Sequence, residues 1–167
     1  MEHEAFMQAA IEEARRGLAA GEVPIGAVLV AGGQVVSRAY NQPIGAVDPT
    51  AHAEVLVLRD AARRIGNYRL IGATLYVTVE PCLMCVGALV HARVAHVVYG
   101  AAEPKTGSLT SAVLGLDLPG LNHQFEVTGG ILEEDCRQLI QEFFRARRAS
   151  TSRPGTSSPA PDTPVDS

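Results

Sequence analysis

Two short stretches constrain this chain more than any others: Thr50-Ala51-His52-Ala53-Glu54 and Glu80-Pro81-Cys82-Leu83-Met84-Cys85. One imidazole and two thiolates form the donor set that Zn²⁺ takes when it keeps one position open. For that reading to hold, the fold must bring His52, Cys82 and Cys85 to one point. Water in the open position of such a zinc has its pKa lowered to roughly 7. Glu54, two residues beyond His52, would lie close to the metal without binding it and be free to move protons. A C-x-x-C by itself also fits a redox pair or chance. The His-x-Glu upstream and Pro81 before the first cysteine favour a metal.

At 167 residues the chain is long enough for one domain with a real core. The net charge of −4 does not by itself point to a nucleic-acid binder, but charge distribution counts for more than its sum. No apolar run is long enough to span a bilayer. The start Met1-Glu2-His3-Glu4 lacks the basic and apolar regions of a secretory leader, so none is expected. Three cysteines, two of them in the C-x-x-C, fit a reducing cytoplasm and a metal site better than a disulfide framework.

Hydrophobic periodicity predicts an amphipathic helix from Glu4 to Ala20, with Phe6, Ala10, Ile11, Ala14 and Leu18 on its buried stripe. Pro24 to Val30 reads as a buried strand, Gly32-Gly33 as a hairpin turn, and Gln34 to Tyr40 as the returning strand. A helix is expected over Ala51–Ile65, with His52 and Glu54 in its first turn and Arg59, Arg63 and Arg64 near its end. Ala73 to Val79 is β-branched and reads as a strand. Leu83 to Ala92, apolar nearly all round, reads as a buried helix whose N-terminus would stabilise the Cys82 and Cys85 thiolates. Further strands are expected over Ala95–Tyr99 and Gln124–Thr128, with a short helix near Ser108–Leu114 in the loop-rich stretch between them. Glu133 to Arg148 reads as the last helix, acidic at its start and basic at its end. This predicts a domain over residues 1–149 and a disordered tail rich in proline, serine and threonine over 150–167. Alternation of this kind gives an α/β layered domain around a five-stranded sheet.

The H-x-E…P-C-x-x-C pattern is the known signature of zinc-dependent nucleobase deaminases. The chain also carries N-x-P-I-G, D-P-T-A-H-A-E, N-Y-R-L-I, A-T-L-Y-V-T-x-E-P-C-x-M-C, P-K-T-G, P-G-x-N-H and F-F-R-x-R-R, in that order from Asn41 to Arg148. In these runs it resembles the bacterial tRNA-specific adenosine deaminases of the cytidine deaminase superfamily. The resemblance implies a three-layer cytidine-deaminase-like fold, a mixed sheet with helices on both faces. It implies hydrolytic deamination of the wobble adenosine of a tRNA anticodon (arginine tRNA, A-C-G) to inosine. It implies one Zn²⁺ per subunit on His52, Cys82 and Cys85, with Glu54 as acid and base. It also implies a cytoplasmic homodimer acting on the anticodon stem-loop. By the same resemblance Asn41, Pro43, Glu103, Lys105, His123, Phe144, Arg145 and Arg148 are candidates for substrate contact.

Each candidate also has a plainer reading. Glu54 could be a solvated helix-start glutamate, and Asn41 a strand terminator. Phe143 and Phe144 could both pack in the core; because neighbours on a helix point about 100° apart, one can pack while the other meets RNA. Arg145, Arg147 and Arg148 could be a solvated helix end or a phosphate grip. Cys136, with no partner at metal spacing, reads as a structural cysteine, and His91 and His96 read as structural too. Glu103 stands where the family pattern has an aspartate, one methylene shorter, and Pro104 follows it. The residues around Leu114 and Leu118 also depart from that pattern. The zinc motif is equally shared with deaminases of free guanine, cytosine or related rings, and with inactive zinc-binding subunits. The basic helix end and the P-G-x-N-H run favour tRNA over a small molecule, and the intact Glu54 argues against an inactive subunit.

Overall fold

The computed structural model describes residues 2–151. Helix α1 (Glu2–Ala19) leads into the hairpin β1 (Gly26–Ala31) and β2 (Gln34–Tyr40). Helix α2 (Ala53–Ile65), strand β3 (Thr74–Val79), helix α3 (Leu83–Ala92) and strand β4 (His96–Ala101) follow in turn. A 3₁₀ turn at Gly115–Asp117, strand β5 (Glu126–Thr128) and helix α4 (Glu133–Thr151) complete the described chain. The strands form one sheet in the order β2-β1-β3-β4-β5. β1 is antiparallel to both β2 and β3, while β3, β4 and β5 run parallel, so the sheet is mixed as expected.

The period-two alternation of the central strands builds a core on each face. Ala27, Leu29, Leu75, Val77, Val97 and Tyr99 point to one side, where they meet Val57 and Leu58 of α2 and Val86 and Leu89 of α3. Val28, Val30, Tyr76 and Val98 point to the other, against Met7, Ala10 and Ile11 of α1 and Cys136 of α4. The result is the expected three-layer sandwich. Cys136 is fully buried in the second core and structural, as expected. His96 bonds the Thr128 hydroxyl at 2.8 Å, but His91 is exposed.

Close packing of α1 on β1 depends on Gly26. A Cβ there would overlap the Ala10 carbonyl oxygen and the Ala14 amide nitrogen of α1, both backbone atoms that cannot swing aside. Gly26→Ala should therefore cost stability at the upper end of the roughly 1–3 kcal/mol typical of overpacking. Urea denaturation would show this as a lower midpoint with an unchanged slope; an unchanged midpoint would mean that α1 is not seated as described.

Several expected boundaries and faces shift. On α1, Ala10, Ile11 and Ala14 are buried as expected, but Met7 and Gly17 are buried with them, Phe6 is half-buried, Leu18 is exposed, and Glu13 is buried while paired with Arg16 at 3.2 Å. The helix expected near Ser108–Leu114 is a run of turns. The amides of Ala112 and Val113 both reach back to the Gly107 carbonyl and that of Gly115 to Ser108, so no four-residue ladder forms. Helix α3 is not buried all round, since Leu83 and Met84 stand 50% and 39% exposed on its first turn. Helix α4 runs on through Ser150 and Thr151, two residues of the expected tail; the rest of that tail, 152–167, lies outside the described residues. No described helix is long and apolar enough to cross a membrane.

Candidate active site

Two helix starts build the site. His52 and Cys82 are the N-caps of α2 and α3, each in extended backbone (φ −72°, ψ 150° and φ −76°, ψ 173°). An N-cap side chain ordinarily accepts a hydrogen bond from its own helix. Neither of these does, and both turn toward each other instead. His52 therefore precedes the helix rather than lying in its first turn: its own backbone is extended, and the Ala51 carbonyl before it accepts the Gln42 amide at 2.9 Å. Glu54 and Cys85 lie in the first turns of α2 and α3. Both helix dipoles aim their positive ends at this point, which favours thiolates and carboxylates there.

His52 Nδ1 lies 3.6 Å from Cys82 Sγ and 3.5 Å from Cys85 Sγ. Donors held 2.0–2.3 Å from one tetrahedral ion stand roughly 3.5 Å apart, so the donor set has the spacing of a closed metal triad. The three ligand atoms lie within 4.8 Å of one another, the only such group among the described residues. Glu54 is buried, and its Oε2 accepts the Cys85 thiol at 3.2 Å.

Burial pushes the Glu54 carboxyl above its usual range, against the pull of its own amide, the Cys85 thiol and the His52 charge. Cys82 is drawn down to about 5, first by the hydrogen bond from Cys85. Cys85 is pushed up, first by the Cys82 sulfur beside it, with burial and the Glu54 charge adding to the effect.

A pocket of about 220 Å³ opens over this triad, lined among others by Asn41, His52, Glu54, Glu80, Cys82 and Glu103. It is smaller than the roughly 300–1,000 Å³ of drug-sized sites. Asn41 is buried at the end of β2, with its amide on the Ile25 carbonyl at 3.0 Å. Cys85 lies behind the pocket wall, fully buried.

A wider cavity of about 760 Å³ adjoins the pocket through Glu103 and Thr106, and is lined also by Lys105, Ile140, Gln141, Phe144, Arg145 and Arg148. The structure so brings Lys105, Phe144, Arg145 and Arg148 together beside the pocket. Phe143 is buried under the Arg147 guanidinium, 5.2 Å from its ring centre, while Phe144 is 42% exposed.

Two candidates fall elsewhere. Pro43 does not line the pocket; its carbonyl accepts the Asp48 amide at 3.1 Å. His123 donates from Nε2 to the Val94 carbonyl at 2.7 Å, at the far end of α3, and lines a separate cleft with Arg69, Ile71, Arg93 and Asn122.

Glu80 and Thr106 line the pocket although the motif reading passed them over. Glu80 carried a signal: a carboxylate at the end of an otherwise apolar strand is costly to bury without partners. Burial pushes its carboxyl up, but hydrogen bonds from Ser111, Thr110, Leu109 and Glu103 outweigh this and hold it below the usual range.

The MafB19-like deaminase family model matches residues 1–148. A tRNA-specific adenosine deaminase of Haemophilus influenzae is 46% identical over 146 residues, 87% of this chain and 84% of that protein. The chain belongs to the tRNA-specific adenosine deaminases. The Bacillus subtilis relative of the same name is 48% identical over 145 residues, 87% of this chain and 90% of that one. A structure from a study of A-to-I editing by tRNA:A34 deaminases at the wobble position superposes with a TM-score of 0.79 at 43% identity, covering 81% of this chain and 98% of its own. The family membership and the mixed five-stranded sheet agree with what the motifs imply.

Proposed function

We propose that this chain hydrolyses the wobble adenosine of a tRNA anticodon, A-C-G of an arginine tRNA, to inosine and ammonia, as a cytoplasmic homodimer with one zinc per subunit. The observation that carries the reading is the His52–Cys82–Cys85 triad with Glu54 beside it, in a base-sized pocket that opens onto a cationic cavity. When bound on those three donors, zinc would supply a water acidic enough to be a nucleophile at neutral pH. Glu54 would be the proton carrier of the site, moving one proton from the attacking water to N1 of the purine and the next to the departing amine. Asn41 and Glu103, on the pocket wall, orient the nucleoside. An anticodon loop is single-stranded, which makes turning one base into such a pocket cheap. Lys105, Arg145 and Arg148 then grip flanking phosphates, and Phe144 offers a face for a neighbouring base. Exposed Leu83 and Met84 on α3, beside an apolar cleft lined by Val55, Leu58 and Ala88, support the homodimer. Helix α4 closes the deaminase domain.

The test is nucleoside mass spectrometry after incubating the zinc-loaded protein with an RNA hairpin bearing the A-C-G anticodon. Inosine should appear at the wobble position. Arg145→Ala/Arg148→Ala should weaken hairpin binding and flatten its dependence on log salt by about 0.7–1 unit for each cation removed. Ammonia from free bases with no inosine in RNA would move the function to small molecules, and the arginine changes would then have no effect.

A further inference from the structure

The most heavily engaged side chain in the pocket is not one that the metal motif requires. Glu80 follows β3 directly, immediately before Pro81 and Cys82, and it is 3% exposed. Its Oε2 accepts the amides of Leu109, Thr110 and Ser111 at 3.0, 2.9 and 3.1 Å. Its Oε1 accepts the Glu103 amide at 3.2 Å and the Ser111 hydroxyl. All of these donors belong to one loop, 103–111, so the carboxylate organises that loop from inside.

Other bonds draw the loop closed around it. The Gly107 amide reaches the Glu103 carbonyl at 2.8 Å, and the Ser108 amide reaches the Pro81 carbonyl at 2.8 Å. Gly107 passes so near that a Cβ would lie 2.5 Å from both the Glu80 carboxyl carbon and the Glu103 carbonyl oxygen. The same loop supplies Glu103 and Thr106 to the metal pocket and, with Lys105, to the cationic cavity beside it. Glu54 and the three metal-binding side chains receive no hydrogen bond from it.

We propose that Glu80 is a positioning residue: its carboxylate holds the 103–111 loop so that Glu103, Lys105 and Thr106 stand at the mouth of the pocket, setting how substrate binds rather than how fast bound substrate reacts. This rests on the reading of that pocket as the substrate site. Glu80→Gln separates the two halves of the clamp. Its amide oxygen can still serve residues 109–111, and its NH₂ can donate to the Ser111 hydroxyl, but it cannot accept the Glu103 amide. Glu80→Ala removes all five bonds.

Both variants would be compared with wild type as full-length, zinc-loaded protein, by steady-state kinetics on the A-C-G hairpin and by amide hydrogen exchange. Glu80→Gln should raise KM about tenfold while leaving kcat within about threefold, the size expected for one lost hydrogen bond to a charged group. Exchange should quicken around Glu103 but not in the first turn of α2, and zinc content should hold. Glu80→Ala should raise KM further and loosen the whole loop; should it fail to fold, Glu80→Gln still decides. Unchanged KM with a loosened loop, or a fall in kcat at constant KM, would overturn the proposal. Wild type that neither binds nor deaminates the hairpin would overturn the functional reading, and this proposal with it. Normal wild-type turnover with an unaffected Glu80→Gln variant would overturn this proposal alone.

Discussion

Glu54→Gln protein should bind zinc like wild type and form inosine at least about 10³-fold more slowly, within the 10²–10⁴ that a placed general acid–base contributes. Three carboxylates line the pocket: Glu54, Glu80 and Glu103. Glu80 is saturated by its loop, and Glu103 holds the Lys105 amide at 3.0 Å. Glu54 has one side-chain donor, the Cys85 thiol, and that proton leaves once Cys85 serves as a thiolate ligand. Of the three it is also the one in contact with a candidate metal donor, and so the one placed to trade protons with a water held there. Glutamine preserves its size and burial but can neither take a proton from water nor return one to N1. Single-turnover assays would separate the chemical step from product release. A variant that keeps more than a tenth of the wild-type rate with zinc bound would take the proton shuttle away from Glu54.

The grouping of His52, Cys82 and Cys85 was legible in the sequence because its chemistry is local: few residue types bind zinc, and a helix start following a strand is announced by Pro81. The layers were legible for a similar reason, since strands such as Thr74–Val79 and helices such as α2 show their period directly. What escaped was set at a distance. Loop 108–114 has the composition of a short helix but winds around Glu80, a carboxylate nearly thirty residues earlier in the chain. His52 has the place of a first-turn residue, but its own backbone is extended and the Ala51 carbonyl before it is taken by the Gln42 amide. Leu83 and Met84 have the composition of a core yet face outward, because apolar composition does not say which surface covers a helix face. His123 lies in the P-G-x-N-H run, and its ring is tied to the Val94 carbonyl just beyond the C-terminal end of α3, away from the pocket. In each case a partner remote in sequence decided the outcome.

Stripping the metal should abolish turnover and lower the melting temperature, and these two effects share one cause. Zinc takes its cysteines as thiolates, and Cys85, whose thiol is pushed up, lies against the buried Glu54 carboxyl. Binding at neutral pH must displace the Cys85 proton, so calorimetry in buffers of different ionisation enthalpy should register proton release, and affinity should rise with pH. Because the donors sit at the starts of α2 and α3, an ion held on them would tie the two helices together. A ligand held at one hundred times its Kd adds about 2.7 kcal/mol to the folded state, which for a domain of this size raises Tm by about 5–10 °C. Cys85→Ala should abolish both the increment and the turnover, at little packing cost beyond the lost sulfur. If chelator leaves Tm and inosine formation unchanged, or if Cys85→Ala still gains stability from added zinc, then His52, Cys82 and Cys85 do not form the metal centre. The buried thiol would then have to be explained as packing alone, which its contact with a buried carboxylate argues against.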